Sequence, residues 1–209
     1  DLMDVLTEVV AELNTSHAYV IPPDAQGDSK VSWLGADLRR NSKGEVVIKR
    51  ILHGESSDPK ARSPLRAAGV AAQQGDVIVA IDGRPTAAAP NVGALLLGAA
   101  GKPVELTLVR GRMKRRVAVV PTASEAGLRY HEWVASRVAR VAKRSKGRVG
   151  YVHVPNMSAQ GWAEFHRLID AAARCEAMVV DVRFNGGGHT SELVLERLMR
   201  VVVGWQYAR

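Results

Sequence analysis

Three short segments hold residue types whose spacing could do chemistry. In Asn14-Thr15-Ser16-His17-Ala18-Tyr19 an imidazole stands directly beside a hydroxyl. A histidine can act as a general base near neutral pH, and an adjacent serine can orient its ring. Asp181-Val182-Arg183-Phe184-Asn185-Gly186-Gly187-Gly188 places three glycines after the apolar run Met178-Val179-Val180 and ahead of a helical pattern. Backbone N–H groups at such a turn can stabilise an anion, and glycines let a substrate come close. A plain strand–helix turn and a phosphate loop are the competing readings, and the missing Gly-Lys-Ser/Thr counts against the phosphate loop. The third segment is Trp33-Leu34-Gly35-Ala36-Asp37-Leu38, followed by Leu65-x-x-Ala68-Gly69 and Gly75-Asp76-x-Ile78-x-x-Ile81-Asp82-Gly83. Amides at Leu34, Gly35 and Ala36 can point at a peptide carboxylate while the strand edge accepts an added strand. Gly35 alone would mean no more than a bulge or a turn.

The elements that must position these residues can be read from periodicity. Leu2, Val5, Leu6, Val9, Val10 and Leu13 recur at helical spacing, so 2–14 is a predicted helix, followed by a short strand at 18–21. Residues 24–30 are polar, with Gly and Ser, and mark a domain boundary. From Val31 to Val120 short strands alternate with turns: 33–38, 45–51, 76–81, 104–109 and 117–120, with short helices at 63–69 and 91–98. Residues 123–145 return to a helical pattern with Ser124 as a cap. Strand 148–154, helix 158–174, strand 177–182, the glycine loop and helix 191–203 then form a parallel α/β unit, whose ligand site belongs at strand C-termini. Ser191 reads as a helix N-cap rather than a nucleophile.

The 209 residues suffice for one large domain or two modest ones. No apolar stretch is long enough to span a membrane, and no signal peptide is visible, so none is expected. A single cysteine, Cys175, excludes an internal disulfide and suits a reducing compartment, so the expected location is the cytoplasm. The net charge of +8 is concentrated: twelve of the 29 Lys and Arg lie between Arg110 and Arg148, against two acids, Glu125 and Glu132. Such a band could meet nucleic acid or an acidic partner, but no aromatic interleaving or nucleic-acid motif accompanies it. A solvated hairpin and helix face is the simpler reading.

Taken together, the segments carry a family resemblance. The A-G-V-x(4)-G-D-x-I-x-x-I-D-G pattern resembles the PDZ domains of bacterial peptidases, with the far wall of the peptide groove near 91–98. D-x-R-x-N-G-G-G is similar to the strand-to-loop signature of the family of C-terminal processing and tricorn peptidases. The Ser16-His17 pair, the PDZ-like insertion after it and Tyr151-Val152-His153-Val154-Pro155-Asn156-Met157 follow the order of the tricorn branch. The fold this implies is α+β: a PDZ-like partly open β-barrel with two short helices (31–122), between an N-terminal catalytic part (1–30) and a linker helix with an incomplete βαβ catalytic subdomain (123–209). The resemblance implies a serine endopeptidase that degrades oligopeptides released by larger cytoplasmic proteases. His17 would be the general base, Ser16 its orienting neighbour, and one amide among Gly186, Gly187 and Gly188 an oxyanion donor. The nucleophilic Ser and the Glu that orients the base are expected beyond Arg209. It also implies peptide substrates, a homo-oligomer (a hexamer), aminopeptidases acting downstream, and no metal, nucleotide, nucleic-acid or membrane partner. A non-enzymatic PDZ-like peptide-binding scaffold is the alternative.

Overall fold

Short β-branched runs closed by tight turns build the middle of the chain. In the computed structural model, which describes residues 2–15, 18–20, 31–55 and 61–199, β1 (Ala36–Arg40) pairs antiparallel with β2 (Val46–Ile51). Strand β3 (Val77–Ile81) pairs antiparallel with β2, with the two-residue β4 (Arg84–Pro85) and with β5 (Val104–Arg110). β6 (Met113–Val119) lies antiparallel to β5 along its whole length. The order is β1-β2-β3-β5-β6, with β4 beside β3. Asp82 and Gly83 turn β3 into β4 with φ of 47° and 74°, the two positive angles that a tight hairpin turn needs. Trp33 and Thr122 exchange backbone hydrogen bonds of 2.8 and 2.9 Å, joining the approach to β1 with the exit from β6. That link makes the sheet a partly open barrel. Helix α2 (Val92–Leu95) is a single turn capped by Asn91, whose side chain accepts from the Ala94 N–H at 2.9 Å.

Leu34, Ile48, Leu65, Ile78, Leu106 and Leu108 fill this sheet's core. Asp76 is buried beneath them and paired with Arg110 at 2.6 and 2.8 Å. The Arg110 hydrogen bonds outweigh the cost of burial and hold the Asp76 carboxyl below its ordinary range.

The C-terminal part follows a helix–strand rhythm. Helix α3 (Ala126–Ser145) leads into β7 (Val149–His153); α4 (Ala159–Ala172) crosses over to β8 (Ala177–Asp181), and α5 (Ser191–Leu198) follows the glycine loop. β7 and β8 run parallel, from Val149 opposite Ala177 to His153 opposite Asp181. Val152, Val154, Phe165, Ile169 and Val194 form a second core. Among the described residues no helix is long and apolar enough to cross a membrane. Helix α1 (Leu2–Glu12) is amphipathic as its periodicity requires, and Leu2, Val5 and Val9 are exposed.

Several predicted boundaries move. Of the strand expected at 18–21, residues 18–20 pair with no strand among the described residues, and a strand needs a neighbour for its backbone groups; Ile21 lies outside those residues. The strand expected at 33–38 begins only at Ala36, because Gly35 turns with φ +71°. β6 starts four residues earlier than 117, since Lys114 and Arg116 form its solvent face and hide the alternation. The helix expected at 63–69 is a 3-10 turn over Pro64–Arg66. Thr190, not Ser191, is the N-cap of α5, and Ser191 opens the helix; Glu125 holds the N-cap position of α3 without a side-chain cap bond, and the Ser124 hydroxyl accepts from the Ala126 N–H at 3.1 Å.

Candidate functional site

The parallel pair β7–β8 brings the glycine loop to its C-terminal end, where peptide groups left by the strands can face a ligand. The anchor is Asp181, buried and tied on three sides. It accepts from the Tyr151 hydroxyl at 2.6 Å, from the Arg183 N–H at 3.0 Å, and from the Arg183 guanidinium at 2.6 to 3.1 Å. The Arg183 hydrogen bonds, against the cost of burial, hold the Asp181 carboxyl far below its usual range. Burial and the hydrogen bond to Asp181 push Tyr151 up to about 12. Arg183 fixes the exit of β8 and leaves the following turn to the backbone.

That turn sorts the three glycine amides. The Gly186 N–H donates to the Pro155 carbonyl at 3.0 Å, and the Gly187 N–H to the Asn185 side chain at 2.8 Å. The Asn185 amide in turn donates to Val154 O at 2.9 Å. The Gly188 N–H has no acceptor among the described residues. The loop is also stitched to the segment after β7: the Met157 N–H donates to Gly187 O at 2.7 Å, and the Thr190 N–H to Met157 O at 3.0 Å. Gly188 has φ +136°, and a Cβ there would overlap the Met157 carbonyl oxygen, so this position requires glycine. At Gly186 and Gly187 a Cβ would meet nothing within 4 Å. The exposed side of the loop is open.

Beside the loop lies an aromatic shelf whose role did not stand out in the sequence. Tyr130, Trp133, His153, Pro155 and Phe184 line a shallow pocket of about 300 Å³. His153 is buried; its Nε2 lies 2.9 Å from Arg183 O and its Nδ1 3.1 Å from the Tyr130 hydroxyl. A carbonyl can only accept, so Nε2 carries a proton; in the neutral ring Nδ1 then accepts from Tyr130. Burial raises the Tyr130 pKa. Phe184 is 86% exposed with φ +62°, an uncommon state for a bulky residue, and faces Trp133 edge to face. The signal available beforehand was the scarcity of aromatics, 5% of the chain, with Phe184 set inside the glycine motif.

The loop ahead of β1, expected to hold a peptide carboxylate, has a different arrangement. The Gly35 N–H donates to Glu125 Oε1 at 2.9 Å and the Ala36 N–H to the same oxygen at 3.2 Å. Two of the three amides assigned from sequence to a peptide terminus are therefore engaged by a side chain of this chain. Leu34 faces the core. Gly35 is a required glycine, since a Cβ there would crowd Ser63, whose hydroxyl donates to Gly35 O at 2.9 Å. Ser16 and His17 lie outside the described residues. No group of three or more His, Cys, Asp or Glu that could hold a metal ion occurs among the described residues.

A PDZ-like sheet joined to a strand–helix–strand unit that ends in a glycine loop is the architecture of a PDZ-bearing peptidase. A family model for the tricorn protease PDZ domain matches residues 33–124, and one for peptidase family S41 matches residues 148–206. Tricorn protease homolog 1 of Streptomyces coelicolor is 52% identical over 212 residues, all of this chain and 20% of that protein. The tricorn protease of Thermoplasma acidophilum is 32% identical, with the same shares covered. A crystal structure of the tricorn protease matches with a TM-score of 0.81 at 30% identity, over 95% of this chain and 20% of that one. The chain spans about a fifth of the length of the curated relatives it matches. Over its whole length the chain is similar to a stretch of the tricorn proteases.

Proposed function

We propose that this chain supplies the general base and one oxyanion donor of a tricorn-type serine endopeptidase. The observation that carries the reading is the Gly188 N–H, without an acceptor among the described residues at the end of β8 while its two neighbours are spent internally. In the reaction a serine Oγ attacks the scissile carbonyl carbon and His17 takes the serine proton. Negative charge then gathers on the carbonyl oxygen, where the Gly188 N–H donates to it. Collapse expels the amine with the proton returned by His17, and water hydrolyses the acyl-enzyme by the same route. Ser16 holds His17 in register. By the family resemblance, the nucleophile and the Glu that orients the base are expected beyond Arg209. The division at residues 30 and 122 follows the same resemblance, as do the homo-oligomer, the cytoplasmic location, the oligopeptides left by larger proteases and the downstream aminopeptidases.

The test is kinetic and uses the full-length enzyme with a fluorogenic oligopeptide. His17→Ala is expected to lower kcat by about 10³-fold or more, as loss of a general base does. Ser16→Ala is expected to lower it less, because Ser16 positions the base without moving the proton. Wild-type kcat in both variants would overturn the assignment.

A further inference from the structure

The groove of a PDZ-like sheet reads a peptide terminus through the N–H groups of its loop. Here those groups already hold a carboxylate. Glu125 is 5% exposed. Its Oε1 takes the Gly35 and Ala36 N–H groups at 2.9 and 3.2 Å, and its Oε2 takes Arg129 Nε at 2.9 Å and Nη2 at 2.6 Å. The other Arg129 branch reaches Asp37 on β1 at 3.0 Å. A buried carboxylate is expensive unless paired and hydrogen-bonded, and this one is both. The groove beyond it is not filled. A cavity of about 300 Å³ runs between β1 and α2, lined by Leu34, Leu38, Val92 and Leu96. Ser32, 1% exposed, lines the same cavity with a hydroxyl that has no partner among the described residues.

We propose that Glu125 is the built-in ligand of the carboxylate loop. It occupies in cis the position that a peptide's terminal carboxylate would take, so the groove is closed to free C-termini while Glu125 is seated. The same loop is a complete receptor once Glu125 leaves: two N–H donors, the Arg129 guanidinium for charge, and an apolar cleft for the last side chains. An intramolecular carboxylate also competes at a high effective concentration, so an external one cannot displace it at ordinary peptide levels. The proposal is independent of the peptidase reading, since it concerns neither His17 nor the glycine loop.

The experiment titrates the ¹⁵N-labelled 209-residue chain with acetate, with an acetylated tetrapeptide ending in valine as the free acid, and with its amidated form. The Gly35 and Ala36 amide resonances are followed. In the wild-type chain none of the three should move them saturably. In Glu125→Ala the free acid should move both and bind at least tenfold tighter than the amidated peptide, and acetate should move them more weakly. Glu125→Gln, which keeps the shape and one acceptor but loses the charge opposite Arg129, should bind the free acid between these two cases. Saturable wild-type binding of the free acid at Gly35 and Ala36, within tenfold of the variant, would overturn the proposal. So would a folded Glu125→Ala chain whose two amides ignore every carboxylate. If Glu125→Ala does not fold, Glu125→Gln decides: tighter binding than wild type supports the proposal, and equal binding overturns it.

Discussion

Gly188 faces the Met157 carbonyl with φ +136°, and Gly187 sits one residue earlier with φ +80° over open space. These positions should answer differently to the same methyl group. In the full-length enzyme Gly188→Ala must shift the backbone against Met157, and is expected to lower kcat by about 10²–10³-fold through its misplaced N–H. Gly187→Ala meets no neighbour and should cost about 1–2 kcal/mol of stability for its left-handed conformation, with a smaller loss of rate. Parallel kcat and Tm measurements check both, and an active Gly188→Ala enzyme would contradict the ranking. Asp181 and Tyr151 set a pH dependence with a definite sign. Asp181 is lowered by Arg183, so its contribution is full above about pH 4 and lost as pH falls toward its folded value. Tyr151 is raised to about 12, so its share is full below about pH 10 and lost as pH climbs through 12. Asp181→Asn should flatten the acid limb of stability against pH and reduce the alkaline limb, part of which burial of Tyr151 maintains, read from urea midpoints between pH 2.5 and 12; unchanged limbs would show that Asp181 is not the anchor. From sequence the three glycines were legible as a group. Their sorting was not, because it depends on Pro155 and the Asn185 side chain as acceptors.

Helices and strands were legible wherever one period dominated. α1, α3, α4 and β5 follow their apolar spacing, while residues 18–20 have strand composition but pair with no strand among the described residues. Helix α3 shows what local pattern leaves out. Glu125, Arg129 and Glu132 lie on one face of it and bind Gly35, Asp37, Arg50 and His53 on the PDZ-like side. The two acids that interrupt the basic band are thus the two that dock the helix, a fact invisible to a charge count. At the start of α4, Asn156 Oδ1 accepts from the Gly161 N–H at 2.9 Å, and a Cβ on Gly161 would overlap the Asn156 carbonyl oxygen. Gly161→Ala should therefore destabilise the chain by about 1–3 kcal/mol, and Asn156→Ala by about 1 kcal/mol, the worth of a helix cap. Urea unfolding measures both; a neutral Gly161→Ala would mean that the approach of α4 to Asn156 is not a constraint.

At the scale of the whole molecule, α3 is the piece that relates the two cores. Its inner face meets the PDZ-like sheet through ion pairs, and its outer face carries exposed Arg140, Lys143 and Arg144. The aromatic shelf of Tyr130 and Trp133 on the same helix lies beside the glycine loop, so the element that closes the carboxylate loop through Glu125 also borders the proposed oxyanion site. The order of the segments was legible from motifs; the seating of one domain's helix in the other's loop was not, because 90 residues separate Gly35 from Glu125. The proposed donation by Gly188 to the oxyanion is tested most directly by a crystal structure of the full-length enzyme with a peptide aldehyde bound to its catalytic serine. The hemiacetal oxygen should lie about 2.7–3.1 Å from the Gly188 nitrogen, with Gly186 and Gly187 still bonded to Pro155 and Asn185. A hemiacetal oxygen held by other donors, with the Gly188 N–H turned onto the protein, would contradict it.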